Sequence, residues 1–230
     1  MQIVVADYVA GARAARGLAV IIDVFRAFSL AAHAMARGAR RIVPVAEIED
    51  ALGLKAQYPD AITLGERFAK PLPGFDGGNS PAQLEQIDVR GRTLIHTTHA
   101  GTQGLTRAEQ ADEVITGALV NAAAIVAYIR ERQPAIVTLV RMGQGATSRC
   151  VEDDTCAELI GRRLRGESPD LDEMRARLRA APSAAKFFDP ACDWAPERDF
   201  ELCTRVDAFD FVLRLEPGAA PRLRRIDVAS

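Results

Sequence analysis

The chain has 230 residues, enough to bury a sizeable core in one large domain or two small lobes. Its composition, 48% apolar and 26% charged, is typical of a soluble globular protein, and no segment reaches the roughly 18 apolar residues that a membrane span requires. The formal net charge of −2 gives no overall field that would attract nucleic acid or a membrane surface, so we expect neither as a partner.

The four cysteines, at positions 150, 156, 192 and 203, form no CxxC pair and no other recognisable zinc-binding spacing. The N-terminal segment MQIVVADYVAGARAARG has an acidic residue before any long apolar stretch, unlike a signal peptide. We therefore expect reduced thiols and a cytoplasmic location.

Strands and helices alternate through the first two-thirds of the chain. A strand at QIVVA precedes the buried strand LAVIID (Leu18–Asp23), which an Ala-rich helix over Ala27–Arg37 follows. Further strands are predicted at RRIVPVA, AITLGE, RTLIHTT, DEVITGAL and AIVTLVRM, with helices after most of them. This alternation predicts an α/β protein of three layers, α/β/α, with a mainly parallel or mixed sheet.

Two regions depart from this alternation. The stretch RFAKPLPGFDGGNSP, from Arg67 to Pro81, is so rich in Pro and Gly that no regular structure is expected there. The last third contains helical pieces and then FDFVLRL and RLRRIDV, which would pair most simply as an antiparallel hairpin across EPGAAP. We expect a single domain over residues 1–230, and a boundary near 166–169 is left open.

Polar and charged residues collect where the predicted strands end. Asp23 follows a strand buried on both faces, where a bare carboxylate is costly unless it is paired or binds a cation. In open α/β sheets, ligands bind beyond the carboxyl ends of the strands. The other polar residues near these ends are Arg26, Ser29, Glu66, Arg67, Thr97, Thr98, Thr102, Arg141 and Glu152–Asp154. This set suits a divalent cation and an anionic, phosphate-bearing ligand.

The same residues have simpler interpretations that the sequence leaves open. Acids in a first helical turn interact favourably with the helix dipole whatever the function, which applies to Asp23 and to Glu152–Asp154. Asn79 or Ser80 would serve equally well as the cap of a helix that starts at Pro81. The sequence has no GxxxxGK[ST] loop and no GxSxG elbow, so the familiar enzymes built on these motifs are excluded.

At these positions the sequence resembles the 2-phosphosulfolactate phosphatase family. The Asp-Val-x-Arg-Ala run of that family matches residues 23–27, and its Gly-Phe-Asp-x-Gly-Asn-Ser-Pro loop matches residues 74–81. Its other matching segments are Gly-Glu-Arg at 65–67, Thr-Thr-x-Asn-Gly-Thr at 97–102 and Glu-Asp at 152–153. The resemblance spans Leu18 to Gly166; Ala100 replaces the usual Asn, and Phe28 and Arg141 are bulkier than is common in the family.

The resemblance implies a Mg²⁺-dependent phosphatase that converts 2-phosphosulfolactate, or a close analogue, to sulfolactate and phosphate. It implies catalytic roles for Asp23, Arg26, Glu66 and Arg67, and metal ligation by oxygens from among Asp23, Asp76, Glu152 and Asp153, with Glu66 as a further candidate. The implied substrate-binding residues are Ser29, Asn79, Ser80, Thr97, Thr98, Gly101, Thr102 and Arg141.

Other functions are also compatible with the sequence. Ala100 and Phe28 leave open a non-catalytic phosphometabolite-binding protein of the same fold. A nucleotide-binding module is disfavoured because no glycine loop follows the first strand. The expected partner is a small anionic phosphoester, and a homodimer is left open.

Overall fold

The computed structural model describes residues 1–218 and 221–228, in which strands and helices alternate as predicted. The strands are β1 (Gln2–Asp7), β2 (Leu18–Ile22), β3 (Arg41–Pro44), β4 (Ile62–Arg67), β5 (Lys70–Pro71), β6 (Thr93–Thr97), β7 (Glu113–Gly117), β8 (Ile136–Arg141), β9 (Phe211–Glu216) and β10 (Arg222–Asp227). The helices are α1 (Tyr8–Ala14), α2 (Ala27–Ala36), α3 (Ile48–Gln57), α4 (Pro81–Leu84), α5 (Gly101–Arg107), α6 (Ala122–Arg132), α7 (Val151–Leu164), α8 (Leu171–Arg179) and α9 (Glu197–Thr204). Short 3₁₀ helices cover Leu119–Asn121 and Pro182–Phe187.

The ten strands of the described residues lie in one mixed sheet, in the order β1-β8-β2-β7-β9-β10-β3-β6-β4-β5. All five residues of strand β2 are buried, so both faces of the sheet are covered at this strand. Ala19 and Ile21 pack into a cluster with residues of α1, α2 and α5, while Val20 and Ile22 pack into a second cluster with residues of α6, α7 and α9. The predicted three-layer α/β/α architecture is therefore confirmed.

The C-terminal hairpin β9–β10 lies in the middle of the sheet. The prediction that these two strands pair antiparallel is confirmed, although residues 219–220 of their connection fall outside the described residues. Strands β1, β8, β2 and β7 are mutually parallel on one side of the hairpin, and β3, β6 and β4 are mutually parallel on the other. Both contacts of the hairpin with these groups are antiparallel, so the two parallel groups have opposite polarity in the strand order.

Strand twist explains how two groups of opposite polarity can still share a site. Neighbouring strands of a sheet rotate by about 20–25°, so the five steps from β2 to β6 accumulate on the order of 100°. The hairpin is joined to each group through one residue pair, Ile115 with Arg214 and Leu223 with Ile42, whereas strands within the groups share four to six pairs. The hairpin is thus joined to each group by a short ladder, and the accumulated twist allows the carboxyl ends of the two groups to approach each other.

Two local features differ from the sequence-based expectation. Helix α1 was not predicted, since the Ala- and Gly-rich segment after β1 has no side-chain cap at its start. The segment from Arg67 to Pro81 is mostly irregular, as expected, but Lys70–Pro71 form the short strand β5 against β4. A tight turn at Phe68 and Ala69, both at positive φ, makes this pairing possible. None of the described helices combines the length and hydropathy needed to cross a bilayer.

Candidate active site

A cleft of about 520 Å³ opens where β2, β4, β6 and β8 end and α7 begins. Its wall includes Asp23 from the end of β2, Glu66 from β4, and Glu152 and Asp153 from the first turn of α7. All four carboxylates are buried, at 8%, 7%, 3% and 2% exposure respectively. The convergence of acidic strand ends that the sequence suggested is therefore present.

Burial and mutual repulsion raise the pKa values of two of these acids. Burial, together with the nearby charges of Glu66 and Glu152, raises the pKa of Asp23 to about 7. Burial and the charges of Asp23 and Glu152 raise the pKa of Asp153 well above its usual range. Backbone amides of neighbouring loops oppose both shifts without cancelling them. A cluster of this kind is stabilised by any cation that enters the cleft.

Glu66 and Asp153 tie the surrounding loops together. The two oxygens of Asp153 accept hydrogen bonds from the amides of Val24 (2.9 Å) and Gly143 (2.8 Å). Those of Glu66 accept from the amides of His99 and Ala69, both at 2.7 Å. Each carboxylate therefore links two segments of the cleft wall, with one oxygen on each.

Asp23 and Glu152 are less engaged than the other two acids. Glu152 accepts a hydrogen bond from the hydroxyl of Ser183, and the amides of Ala27 and Gly101 lower the pKa of Asp23 from nearby. Their remaining lone pairs can serve a ligand. Of the four acids, these two are the best candidates for direct contact with a bound ion.

Arg26 lines the cleft as predicted, although most of its donors are already used. Its Nη1 donates to the carbonyl oxygen of Trp194 (2.6 Å) and to Oδ2 of Asp199 (2.9 Å), and its Nη2 donates to the carbonyl oxygen of Ala69 (2.9 Å). A guanidinium group has five N–H donors, so one Nη2 hydrogen and the Nε hydrogen remain for a ligand. Arg26 can therefore both brace the wall and bind an anion.

Asp76 is not among the residues that line the cleft, and its metal role stays a prediction. Its carboxylate accepts hydrogen bonds from the amide (2.8 Å) and hydroxyl (2.9 Å) of Thr63 and from the ammonium group of Lys55 (3.0 Å). These contacts fix the loop after β5 against β4. The acid of the family-like loop is thus used to hold that loop in place.

Two predicted arginines also lie outside the cleft wall. Arg67 donates to the hydroxyl of Thr97 (2.9 Å) and to two backbone carbonyl oxygens, which fixes the end of β4 against β6. Arg141 forms ion pairs with Asp7 at 2.8 Å and with Asp154 at 3.0 Å. These contacts fix Arg67, Arg141 and Thr97 in the structure around the cleft, and the roles predicted for them on the substrate stay predictions.

Most of the predicted hydroxyl ligands bind the backbone instead of facing the cleft. Thr98 and Thr102 accept hydrogen bonds from each other's amides through their side-chain oxygens, at 3.1 and 2.9 Å, and so fix the turn between β6 and α5. Ser29 donates to the carbonyl oxygen of Val24 (2.8 Å). Ser80 caps the first turn of α4, as its simpler interpretation predicted. These side chains fix the backbone around the cleft without lining the cleft themselves.

Asn79 lies on the cleft wall, and Gly101 lies beside the carboxylate of Asp23. Asn79 lines the cleft and pairs through Oδ1 with Nε2 of His96 at 3.2 Å. A Cβ at Gly101 would lie 2.8 Å from Oδ2 of Asp23, so only glycine allows this close approach. Gly101 therefore sets the position of the Asp23 carboxylate.

Sequence reasoning missed four cleft residues from the last third of the chain. Pro182, Ser183, Lys186 and Trp194 line the cleft, and Ser183 is hydrogen bonded to Glu152 of the acidic cluster. They belong to a stretch without a recognisable motif. The only available signal was a lysine inside the otherwise apolar run AAKFF.

His96 provides a pH-dependent test of the packing behind the cleft. Burial, and then the charge of Arg67, lowers the pKa of His96 to about 4, so the folded protein keeps it neutral. The unfolded chain takes up this proton below about pH 6.5, so the free energy of unfolding falls as pH decreases from about 6.5 to about 4. We expect His96 to account for a loss on the order of 2 kcal/mol at pH 5.

The measurement is urea unfolding of the wild type and of His96→Gln between pH 5 and pH 7.5. The variant should lose less stability on acidification than the wild type. Identical slopes for the two proteins would show that His96 does not titrate in this way.

Comparison of the sequence with known proteins gives matches over most of the chain. The family model described as 2-phosphosulpholactate phosphatase matches residues 5–218. A probable 2-phosphosulfolactate phosphatase of Synechococcus sp. (strain CC9605) is 37% identical over 223 residues, covering 87% of this chain and 90% of the relative. A protein of the same name from Caldanaerobacter subterraneus subsp. tengcongensis is 32% identical, with coverage of 86% and 88%, and one from Clostridium acetobutylicum is 29% identical, with coverage of 94% and 97%.

Those relatives are named as phosphatases, which are hydrolases of phosphoric monoesters. The chain belongs to the 2-phosphosulfolactate phosphatase family. The resemblance noted in the sequence is thereby confirmed.

Proposed function

We propose that this protein hydrolyses 2-phosphosulfolactate, or a close phosphorylated hydroxy acid, to the free hydroxy acid and phosphate with the help of Mg²⁺. The observation that carries the proposal is the convergence of four buried carboxylates and Arg26 on one cleft. The names of the relatives support the same substrate. We also propose that the protein works in the cytoplasm, without nucleic acid as a partner.

The donor set of the cleft fits magnesium, though not as a preformed cage. The described residues contain no group of three His, Cys, Asp or Glu side chains arranged to hold a metal by themselves. Magnesium usually takes only one or two protein carboxylates and keeps several waters. Asp23 and Glu152 would therefore be sufficient to hold it. When bound, Mg²⁺ would neutralise negative charge on the phosphoryl oxygens.

The protein's own groups have separate tasks in this proposal. The free N–H donors of Arg26 would bind phosphoryl oxygens, which gain from a fixed cationic donor as charge redistributes in the transition state. Glu66 and Asp153 would keep the cleft loops in register through their amide contacts. A fixed cleft avoids the cost of reorganising polar groups during the reaction.

The test is phosphate release from 2-phosphosulfolactate, phospholactate and phosphoglycolate with and without MgCl₂. We expect turnover with magnesium, a loss of turnover on addition of EDTA, and recovery when excess Mg²⁺ is restored. Binding of these compounds without phosphate release under any divalent ion would favour the non-catalytic phosphometabolite-binding alternative.

Gly101→Ala should lower activity by displacing Asp23. The new Cβ would meet Oδ2 of Asp23 at 2.8 Å and the Cβ of Ala27 at 3.0 Å, so the carboxylate must move. Displacement of a catalytic group on this scale reduces kcat/KM by about 10- to 100-fold.

The matched control is Gly53→Ala, on an exposed face of α3. A Cβ at Gly53 meets no heavy atom within 4 Å, so this change should leave kcat/KM unaltered and raise stability by about 0.5–1 kcal/mol. Equal activity in the two variants would show that Gly101 does not set the position of Asp23.

A further inference from the structure

The segment from Pro182 to Trp194 closes one side of the cleft and is fastened to the catalytic wall. The hydroxyl of Ser183 donates to Oε2 of Glu152, and the carbonyl oxygen of Trp194 accepts from Arg26 at 2.6 Å. The side chain of Gln83 donates to the carbonyl oxygen of Asp193 at 3.2 Å. This wall is therefore tied to Glu152 and Arg26 of the cleft and to Gln83 outside it.

Lys186 presents a cation to the cleft from this wall. Its ammonium group lies over the ring of Phe25 (5.8 Å to the centroid) and over that of Phe187 (5.1 Å). The two rings pack edge to face with centroids 5.0 Å apart, which gives the lysine stem a rigid platform. A cation on such a platform can act at a defined position.

Lys186 lacks a partner within hydrogen-bonding distance. Among the residues that the structure describes, it makes no hydrogen bond and no ion pair within 4.0 Å. Arg26, the other Lys or Arg on the cleft wall, is paired with Asp199 at 2.9 Å. A partly desolvated ammonium group without a partner is costly, and an anionic ligand would offset that cost.

We propose that Lys186 is a specificity residue that binds the second acidic group of the substrate, a carboxylate or sulfonate beside the phosphate ester. This inference rests on the proposed function and extends it. Phosphate would be bound on the side of the acidic cluster and Arg26, and the remaining negative charge of the substrate would face Lys186. The cleft would then select multiply charged phosphoesters over simple ones.

Burial, and then the charge of Arg26, lowers the pKa of Lys186, while the charges of Glu152 and Asp23 act in the opposite direction. Lys186 lines the same cleft as Arg26, Asp23 and Glu152, whose charges act on its ammonium group in these opposite directions. The alternative role for Lys186 is to neutralise the acidic cluster, in which case its loss would affect all substrates equally. Substrate selectivity therefore separates the two roles.

The experiment compares 2-phosphosulfolactate with glycerol 2-phosphate, a secondary phosphate ester of the same three-carbon skeleton that lacks both acidic groups. Lys186→Met should lower kcat/KM for 2-phosphosulfolactate by about 10- to 100-fold, the usual effect of losing one charged contact, and leave glycerol 2-phosphate nearly unchanged. Lys186→Arg should retain part of the selectivity. Lys70→Met, on the exposed strand β5, is the matched control and should behave like the wild type.

Equal losses for both substrates, or no loss for either, would overturn the assignment. Calorimetric binding of sulfolactate tests Lys186 without turnover: weaker binding by Lys186→Met supports it, and unchanged binding contradicts it. If the wild type hydrolyses neither ester with any divalent ion, the proposed function fails, and the calorimetric result still decides the role of Lys186. Thermal unfolding of each variant verifies that it is folded.

Discussion

Asp23→Asn is expected to abolish phosphate release while making the metal-free protein more stable. The activity should fall by about 10²–10³-fold or more, because the substitution removes a charged group that faces the reacting phosphate and the bound cation. The stability should rise by on the order of 1 kcal/mol, because Asp23 is buried beside Glu66 and Glu152 and its charge is repelled there. A gain in stability together with a loss of activity is the pattern expected when a residue is kept for function at a cost in stability.

Magnesium provides a second measurement on the same variant. A ligand that binds only the folded protein raises its melting temperature. MgCl₂ should therefore raise the Tm of the wild type, and this rise should be much smaller in Asp23→Asn. Undiminished turnover or an undiminished Mg²⁺-dependent Tm shift in this variant would remove Asp23 from the proposed site.

Asp76→Asn offers a contrast with the same chemical change. Burial would raise the pKa of Asp76, but its hydrogen bonds with Thr63 and Lys55 lower it overall, so the carboxylate is stabilised in the folded state. This variant should lose some stability and retain its kcat/KM, which is the reverse of the pattern for Asp23. A loss of activity as large as that of Asp23→Asn would instead place Asp76 in the site, as the resemblance to the family implies.

Arg26→Gln is expected to have the largest effect on stability. Asp199 is completely buried and accepts hydrogen bonds from Arg26 (2.9 Å), from the hydroxyl of Ser80 (2.8 Å) and from the amide of Ala82 (2.9 Å). Removal of Arg26 leaves this carboxylate buried without a countercharge, at a cost of about 3–5 kcal/mol. The free energy of unfolding in urea measures the loss.

A double-mutant cycle with Asp199→Asn separates structure from catalysis. The double variant should recover much of the stability lost by Arg26→Gln, because no buried charge is left unpaired. Its activity should remain low, since the free donors of Arg26 are still missing. Recovery of activity together with stability would mean that Arg26 acts only by holding the cleft wall.

The local patterns of the sequence determined the layers of this fold. The five apolar residues of β2 are buried on both faces because helices cover the sheet on each side. The continuous run of apolar residues in the sequence predicts this burial. The hairpin β9–β10 followed from alternation and a turn-rich connection. Its insertion between β7 and β3 could not be predicted, because strand order depends on long-range contacts that leave no local signal.

The candidate site divides in the same way. The sequence alone determined that acids, arginines and hydroxyls follow the strand ends, since the parallel groups of strands fix where those ends lie. Only the tertiary structure decided which of them face the cleft: Asp23 and Glu152 do, whereas Arg141 is taken up by Asp7 and Asp154. It also brought Lys186 to the cleft from a segment without a motif. The role of a side chain depends on the groups that it contacts in the folded protein, and those groups come from distant parts of the chain.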